Sequence, residues 1–459
     1  MTSSKRTFSI VPGRAMLSHY RELTVLGVPI VIGQLGTIIL GFADTLMVGH
    51  HSTAELAAAS FVNNMFMLVL IFALGFSYGL TPIVGSLFGK GDSKAVGRAV
   101  KNSMSANGLI ALMMMVVMAV LYFNIDNMGQ PEELIPLMKP YFAVNFVSLP
   151  FVVLFNTFKQ FFDGITRTKV AMWVMITGNL INIGGNYILI YGKLGMPEMG
   201  LLGAGISTTV SRVAMALVMV GLFFTEKQLK EYREGFYQNK VTKAEIMRFN
   251  HLGWPIALQM GMETAAFSLC SVMVGWIGTT ALAAHQVMLT ISQLFYMIYY
   301  GMAAAVSVKV SNYHGRKDYH ASSATANAGL HIILLIAVCL SVPIFLLRNH
   351  LGALFTDNHE VSLLVAALFI PLVVYQFSDG LQCTYANALR GLAYVKPMMF
   401  IAFVAYFVVS LPMSYLLGIK LGYGLQGIWY SFPFGLTIAG VLYYIYFKKR
   451  LSFIQAKGV

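Results

Sequence analysis

Twelve runs of about twenty residues or more in this chain are almost free of charge, and the charged residues gather in the short segments between them. A helix of about 20 apolar residues crosses the ~30 Å hydrocarbon core of a bilayer. In lipid, every backbone N–H and C=O must be paired inside the protein, which a helix achieves within itself. The runs lie at about 24–48, 57–86, 103–124, 137–161, 170–192 and 202–224, then 252–276, 282–309, 326–347, 361–388, 398–418 and 425–447. The expected fold is therefore an all-α integral membrane protein of twelve transmembrane helices. With 57% hydrophobic and 11% charged residues over 459 positions, the chain is too apolar for a soluble domain. The stretch up to Arg21 is polar and basic and the first run is long, so that run is expected to stay as a helix rather than leave as a cleaved leader. Cys270, Cys339 and Cys383 all fall within runs, without metal or disulfide spacing, and read as packing residues.

The net charge of +13 raises nucleic acid as a partner, and its distribution argues against one. With both termini cytoplasmic, the cytoplasmic segments hold 25 of the 31 Lys and Arg, including Lys5, Arg6, Lys90, Arg98 and the series from Lys227 to Arg248. The outer segments hold only Lys139, Lys193, Arg348 and Lys420, while Lys159 and Arg212 fall within runs. Such asymmetry sets membrane orientation, so the basic charge reports topology.

Sliding the chain against itself by 226 residues aligns LGVPI (26–30) with LGWPI (252–256), MVG (47–49) with MVG (273–275) and LAA (56–58) with LAA (282–284). The same shift pairs Gly75 with Gly301, Gly89 with Gly315 and Asp92 with Asp318, and gives 17 identities across residues 26–95. The chain reads as two six-helix bundles, 1–224 and 250–459, joined by a charged, partly helical cytoplasmic linker at 225–249. Six is even, so the two units insert the same way round and are related by an axis along the membrane normal, with a cavity between them. A channel competes with a transporter here; two rocking lobes and the absence of a recognisable filter favour the transporter.

Three carboxylates stand inside the runs: Asp44, Glu263 and Asp379. A carboxylate at the centre of a membrane helix costs about 2.5 to 3.5 kcal/mol on insertion scales, so each needs a partner or a task. Under the repeat they face Cys270, Thr37 and Val153, and packing of the duplicated scaffold does not require them. Glu263 and Asp379 lie at similar depth, roughly 14 to 17 Å from the cytoplasmic side. They can share one site, joined by Tyr375 one helical turn before Asp379. Asp44 lies near the outer end of its helix, where a structural role competes. Asn182 and Asn186, spaced i, i+4, together with Gln34, either join Asp44 in a polar pocket or bond between helices. Arg212 is the mid-membrane cation, set either in an interhelical pair or at a site. His285 and Gln286 open the eighth helix; for His285, a hydrogen-bonded structural role competes with a role towards protons or substrate.

GFADTLMVG, LGWPIALQMGMETAAF, ALAAHQV, YQFSDGLQCTYANALRG and DGITRTKVAM, with NLINIGGNYILIYGKLGMPEMGLLGAGIST, resemble the NorM branch of the multidrug and toxic compound extrusion family. The resemblance runs from about residue 20 to 448. It implies an antiporter of the bacterial inner membrane, a monomer in the lipid bilayer without cofactor, exporting small organic and mostly cationic compounds in exchange for Na+ or H+. On the same resemblance, Glu263, Tyr375 and Asp379 match a second-lobe cation site, and Asp44, Asn182 and Asn186 match a first-lobe polar pocket. An archaeal or DinF-like member would keep its essential acids in the first lobe, which Glu263 and Asp379 argue against. A lipid-linked precursor flippase would line its cavity with several Lys or Arg, and only Lys159 and Arg212 are available within the runs. An enzyme is not expected: there is no HExxH, the GxSxG match at 75–79 (GFSYG) lies inside an apolar run rather than at a strand-to-helix elbow, and the GxGD match at 89–92 (GKGD) lies between runs rather than as part of an intramembrane aspartyl pair.

Overall fold

A computed structural model describes residues 14–356 and 358–457; Lys5 and Arg6 of the basic N-terminal stretch lie outside the described residues. Among those residues the chain is helical throughout, without strands. The first six spans are Met16–His51, Thr53–Gly89, Ser93–Phe123, Glu132–Gly164, Thr168–Ile190 and Gly200–Thr225. The seventh to ninth are Lys243–Ile277, Thr279–Gly315 and Tyr319–Leu354; the eleventh and twelfth are Lys396–Lys420 and Gly424–Lys457. The tenth is a pair, His359–Ala367 and Phe369–Gly391, bent by 49°.

Local chemistry sets these boundaries. Asp92 and Asp318, equivalent under the repeat, each accept the backbone N–H three residues on at 2.9 Å and start the third and ninth spans in the same way. The sequence reads the tenth and eleventh spans as uninterrupted helices, and here the structure differs. Pro371 has no N–H to give, and the tenth span breaks so that Pro371 falls in the first turn of its second segment, where that donor is not needed. Around Pro412 the eleventh span is wound as π-helix over Phe403–Ser410 and Tyr415–Lys420. Widened turns of this kind re-aim side chains, here that of Tyr406.

The two halves meet through a contact that is its own mirror under the repeat. A Cβ on Gly75 would stand 2.8 Å from Ala257 Cα, and one on Gly301 would stand 2.9 Å from Val31 Cα. Gly89 lies against the Asn312 backbone and Gly315 against that of Ser86. Shifting the first-half member of a contact forward by 226 and the second-half member back by 226 gives the other contact, so the duplication read from the sequence is a physical pseudo-two-fold in the molecule.

All of these contacts lie in the half of the molecule nearest the linker. The polar and aromatic bonds between the lobes fall there too. Phe76 packs on Phe249 and Trp254 at 5.1 and 5.7 Å, Tyr78 on Tyr300 at 6.0 Å, and Glu22 accepts from both Tyr313 and Lys309 at 2.8 Å. In the opposite half, Gly36 and Gly49 face Asn179 and Leu56 of their own lobe. The lobes are thus joined at the linker end and part towards the other. The linker helix Lys230–Gln238 packs against the third span, with Gly97 beside the Tyr232 backbone and Phe236 buried against Phe223 and Phe224. Leu109, Leu112, Val116 and Val120, with Leu335, Val338, Val342 and Leu346, repeat at helical spacing on outward faces and form surface suited to lipid.

Candidate functional site

In the first lobe the Asp44 carboxylate is tied to the fifth span: Asn186 Nδ2 donates to its Oδ1 at 2.5 Å. The same Nδ2 reaches Asn182 Oδ1 at 3.1 Å, and Asn182 lies 2.9 Å from Thr208 Oγ1 on the sixth span. Turned over, the Asn182 amide donates to Asp44 at 2.9 Å while still bonding Thr208. The i, i+4 asparagines therefore both serve the acid, rather than merely bonding helix to helix. Arg212 donates to Ser148 Oγ at 2.7 Å and Asn145 Oδ1 at 3.2 Å, and its guanidinium lies 4.9 Å from the Phe66 ring centre. Its partners are a hydroxyl and an amide carbonyl oxygen of the fourth span and a ring face of the second, so it ties helices together without an acid bonded to it. Gln34 stands apart from this pocket. Ten residues before Asp44, about 15 Å along the helix, it lines the junction between the lobes.

In the second lobe Glu263 and Asp379 lie within Coulombic reach of each other and of the Tyr375 hydroxyl, and Asp379 is also within reach of that of Tyr299. Gln259 Nε2, one turn back, donates to Glu263 at 3.1 Å, and Tyr406 bonds it from the π-wound eleventh span. Asp379 is 1% exposed, and its Oδ2 makes no hydrogen bond to protein. Nor do either end of the buried Gln376 amide and the Tyr299 hydroxyl. Leaving one such atom unpaired costs about 1 to 3 kcal/mol, so a cluster of them marks a place whose polar groups are held for something other than protein. The Tyr375 ring is fixed edge-on by Trp429, Phe432 and Phe267 at 5.9, 6.2 and 6.4 Å.

Glu263 is two residues beyond Gly261, which still packs against Phe72 of the first lobe. The acids thus stand where the lobes begin to part. His285 and Gln286 are not among them. Trp429 Nε1 donates to His285 Nδ1 at 3.2 Å, so that nitrogen is an acceptor, the proton sits on Nε2, and Nε2 faces Ser271 Oγ at 2.9 Å. The ring is a neutral tie between helices. Gln286 is exposed on the outside of its helix.

Sequence reasoning missed Arg390. Counted there as a loop charge, it is 5% exposed and within Coulombic reach of Glu263. Together with Gln34, Tyr78, Lys159, Asp163 and Tyr300 it lines a cavity of about 20 Å³ between the lobes. Tyr406, Gln259 and Gln376 were also missed; a Gln one turn before an intramembrane Glu was the available signal.

The MatE family model matches this chain twice, over residues 29–188 and 255–416, and the two matches start 226 residues apart, the shift of the internal repeat. The chain belongs to the MatE family. Members of that family are transporters rather than enzymes, and the resemblance read from the sequence is borne out at this level. The chain is 32% identical over 427 residues to the multidrug resistance protein NorM of Aliivibrio fischeri, covering 92% of each chain. It is 28% identical over 443 residues to the probable multidrug resistance protein NorM of Photorhabdus laumondii, covering 95% of this chain and 97% of the relative. The fold matches a transporter of the MOP superfamily from Pyrococcus furiosus with a TM-score of 0.86 at 18% identity, over 97% and 99% of the two chains.

Proposed function

We propose that this family member is a multidrug efflux antiporter in which Glu263 and Asp379 hold, in turn, a coupling cation and an organic cationic substrate. The observation that carries the reading is the placement of two buried carboxylates with unpaired polar atoms around them, in one lobe, where the lobes separate. Neutralisation of the pair by one cation removes the attraction for the other, so binding of the two is mutually opposed. With the linker and both termini cytoplasmic, as the charge split supports, the cleft opens outwards. A cation entering from outside then displaces substrate outwards, and its passage to the cytoplasm returns the site for the next substrate.

Na+ is the coupling ion in this reading. Two carboxylates, the Tyr375 and Tyr299 hydroxyls and the Gln376 amide oxygen supply the oxygen donors a hard cation takes. The relatives named as multidrug resistance proteins favour drug efflux over a flippase. Of the buried cations Lys159, Arg212 and Arg390, the first two are moreover engaged by their own lobe, Lys159 with Asp163 at 2.7 Å and Arg212 with Ser148, Asn145 and Phe66, which leaves Arg390 rather than a cluster of cations facing the cavity. The test is transport of a fluorescent organic cation in proteoliposomes under a Na+ gradient or a pH gradient, imposed one at a time. Efflux driven by Na+ at fixed pH is expected. Full efflux without Na+, abolished by collapsing a proton gradient, would assign the coupling to H+ and move attention to Asp44.

A further inference from the structure

Three buried charges meet at the junction of the lobes, below the acids. Lys159 and Asp163, one turn apart on the fourth span, are paired at 2.7 Å, with side chains 11% and 5% exposed. Arg390 faces them from the tenth span, across the cavity they share. It donates to Asn387 at 3.2 Å, bonds Tyr300, and lies 5.4 Å from the ring centre of Tyr78 in the other lobe. Asp163 Oδ1 and Arg390 Nε make no hydrogen bond to protein. At an offset of 227, one residue more than the shift of the first helices, DGITRTK (163–169) aligns with RGLAYVK (390–396) through Gly164 with Gly391 and Lys169 with Lys396, which sets an acid in one lobe against a cation in the other.

The charges do not balance at this junction by themselves. Lys159 and Arg390 carry two positive charges against the single Asp163. Towards the acidic site, Arg390 is connected through Asn387, whose Nδ2 donates to the Cys383 carbonyl at 2.9 Å one turn from Asp379, and the further counter-charge acting on it from that side is Glu263. We propose that Arg390 is the positioning residue that links occupancy of the acidic site to the seal between the lobes. This rests on the antiport reading given above. With Glu263 and Asp379 empty and ionised, Arg390 is compensated from two sides and the linker-side junction stays shut. A cation bound at the acids withdraws that compensation. Two cations then face one carboxylate in a poorly polarisable junction, and opening it to water relieves the repulsion. The cation that arrives from outside thereby opens its own way to the linker side.

The test places a single cysteine in the cavity as Ser307→Cys, since Ser307 lines it, is 2% exposed and has a hydroxyl without a protein partner. Cys270, Cys339 and Cys383 are replaced first. In inside-out vesicles a membrane-impermeant maleimide reports opening of the junction, with NaCl or choline chloride at fixed pH, and with a pH step in choline. The expected result is labelling that rises about 5-fold or more with the coupling cation, in line with ordinary coupling energies. Arg390→Gln and Lys159→Gln each remove one of the opposed cations and should label slowly with or without it. Asp163→Asn should do the reverse and label fast with no cation present, an outcome that loss of packing alone does not predict for one side of the cavity and not the other. Arg390→Lys keeps the charge and should keep the response. Should Arg390→Gln be poorly folded by size-exclusion profile, Lys159→Gln carries the same expectation. A parental response in a well-folded Arg390→Gln or Lys159→Gln overturns the proposal, and so does slow labelling of Asp163→Asn. Gradient-driven efflux by the parent without any cation-dependent labelling overturns it as well, while leaving the antiport reading intact. Parental efflux by Glu263→Gln and Asp379→Asn would instead sink the antiport reading itself.

Discussion

The two lobes descend from one six-helix unit, yet they treat their buried acids in opposite ways. In the first, Asp44 is embraced by amides of a neighbouring helix: Asn186 at 2.5 Å, with Asn182 able to add a second bond at 2.9 Å. Of the fully buried side-chain polar atoms of that pocket, Asn186 Oδ1 is the one left without a bond, and both amides reach the same Asp44 oxygen, Oδ1. The equivalent place in the second lobe holds Cys270, which meets Ser414 at 3.5 Å, so the same helix pair is joined there without a charge. The second lobe has its acids elsewhere, on Glu263 and Asp379, and leaves Asp379 Oδ2, both ends of Gln376 and the Tyr299 hydroxyl unpaired. A paired acid can serve to hold helices together. Unpaired ones in a buried place are a standing demand for a partner from outside the chain.

The largest difference between the lobes should be in transport. Glu263→Gln and Asp379→Asn are expected to insert and fold, yet to lose gradient-driven efflux by about 10-fold or more, within the usual span of coupling energies. Asp44→Asn keeps most of its bonds and should lose less. Efflux assays on the three variants at equal membrane abundance check the order; a larger loss from Asp44→Asn than from either second-lobe variant would break the comparison.

Stability should reverse that order. Asp44→Ala strands the Asn186 amide and should destabilise the protein by about 1 to 3 kcal/mol, the range for an unpaired buried polar group. Asp379→Ala removes a charge whose Oδ2 has no protein partner, and its melting temperature in detergent should equal or exceed that of the parent. A marked fall in melting temperature for Asp379→Ala would show that the second-lobe acid is structural after all.

The smallest effect on the pH dependence of transport concerns the tie at His285. Trp429→Phe leaves the buried Nδ1 without its donor and should cost about 1 to 3 kcal/mol of stability. Because the ring is a neutral acceptor in this arrangement, the pH profile of efflux should not move. A shifted profile would return His285 to the proton pathway.

Fold and repeat were legible because both depend on patterns that survive in one dimension: apolar runs of membrane length, and a 226-residue shift that reappears as the contacts Gly75 with Ala257 and Gly301 with Val31. The acids were legible because charge in an apolar run is rare. Arg390 was not, since it sits at the end of a run next to the charges that follow it, and burial at a helix end depends on what packs over it, here Tyr78 and Tyr300. Gln34 misled for a related reason: its type matched the Asp44 pocket, but three helical turns separate them. The bend before Pro371 and the π-winding around Pro412 were hidden because apolar composition alone does not show where a helix changes its pitch.

The central claim is that one cation and one organic cation compete for Glu263 and Asp379. Equilibrium binding of a fluorescent organic cation to purified protein at fixed pH, titrated with NaCl against choline chloride, tests it most directly. Na+ should displace the dye competitively from the parent protein and from Asp44→Asn, while in Asp379→Asn dye binding weakens and its dependence on Na+ vanishes. Displacement that is the same in the parent and in Asp379→Asn would contradict the account.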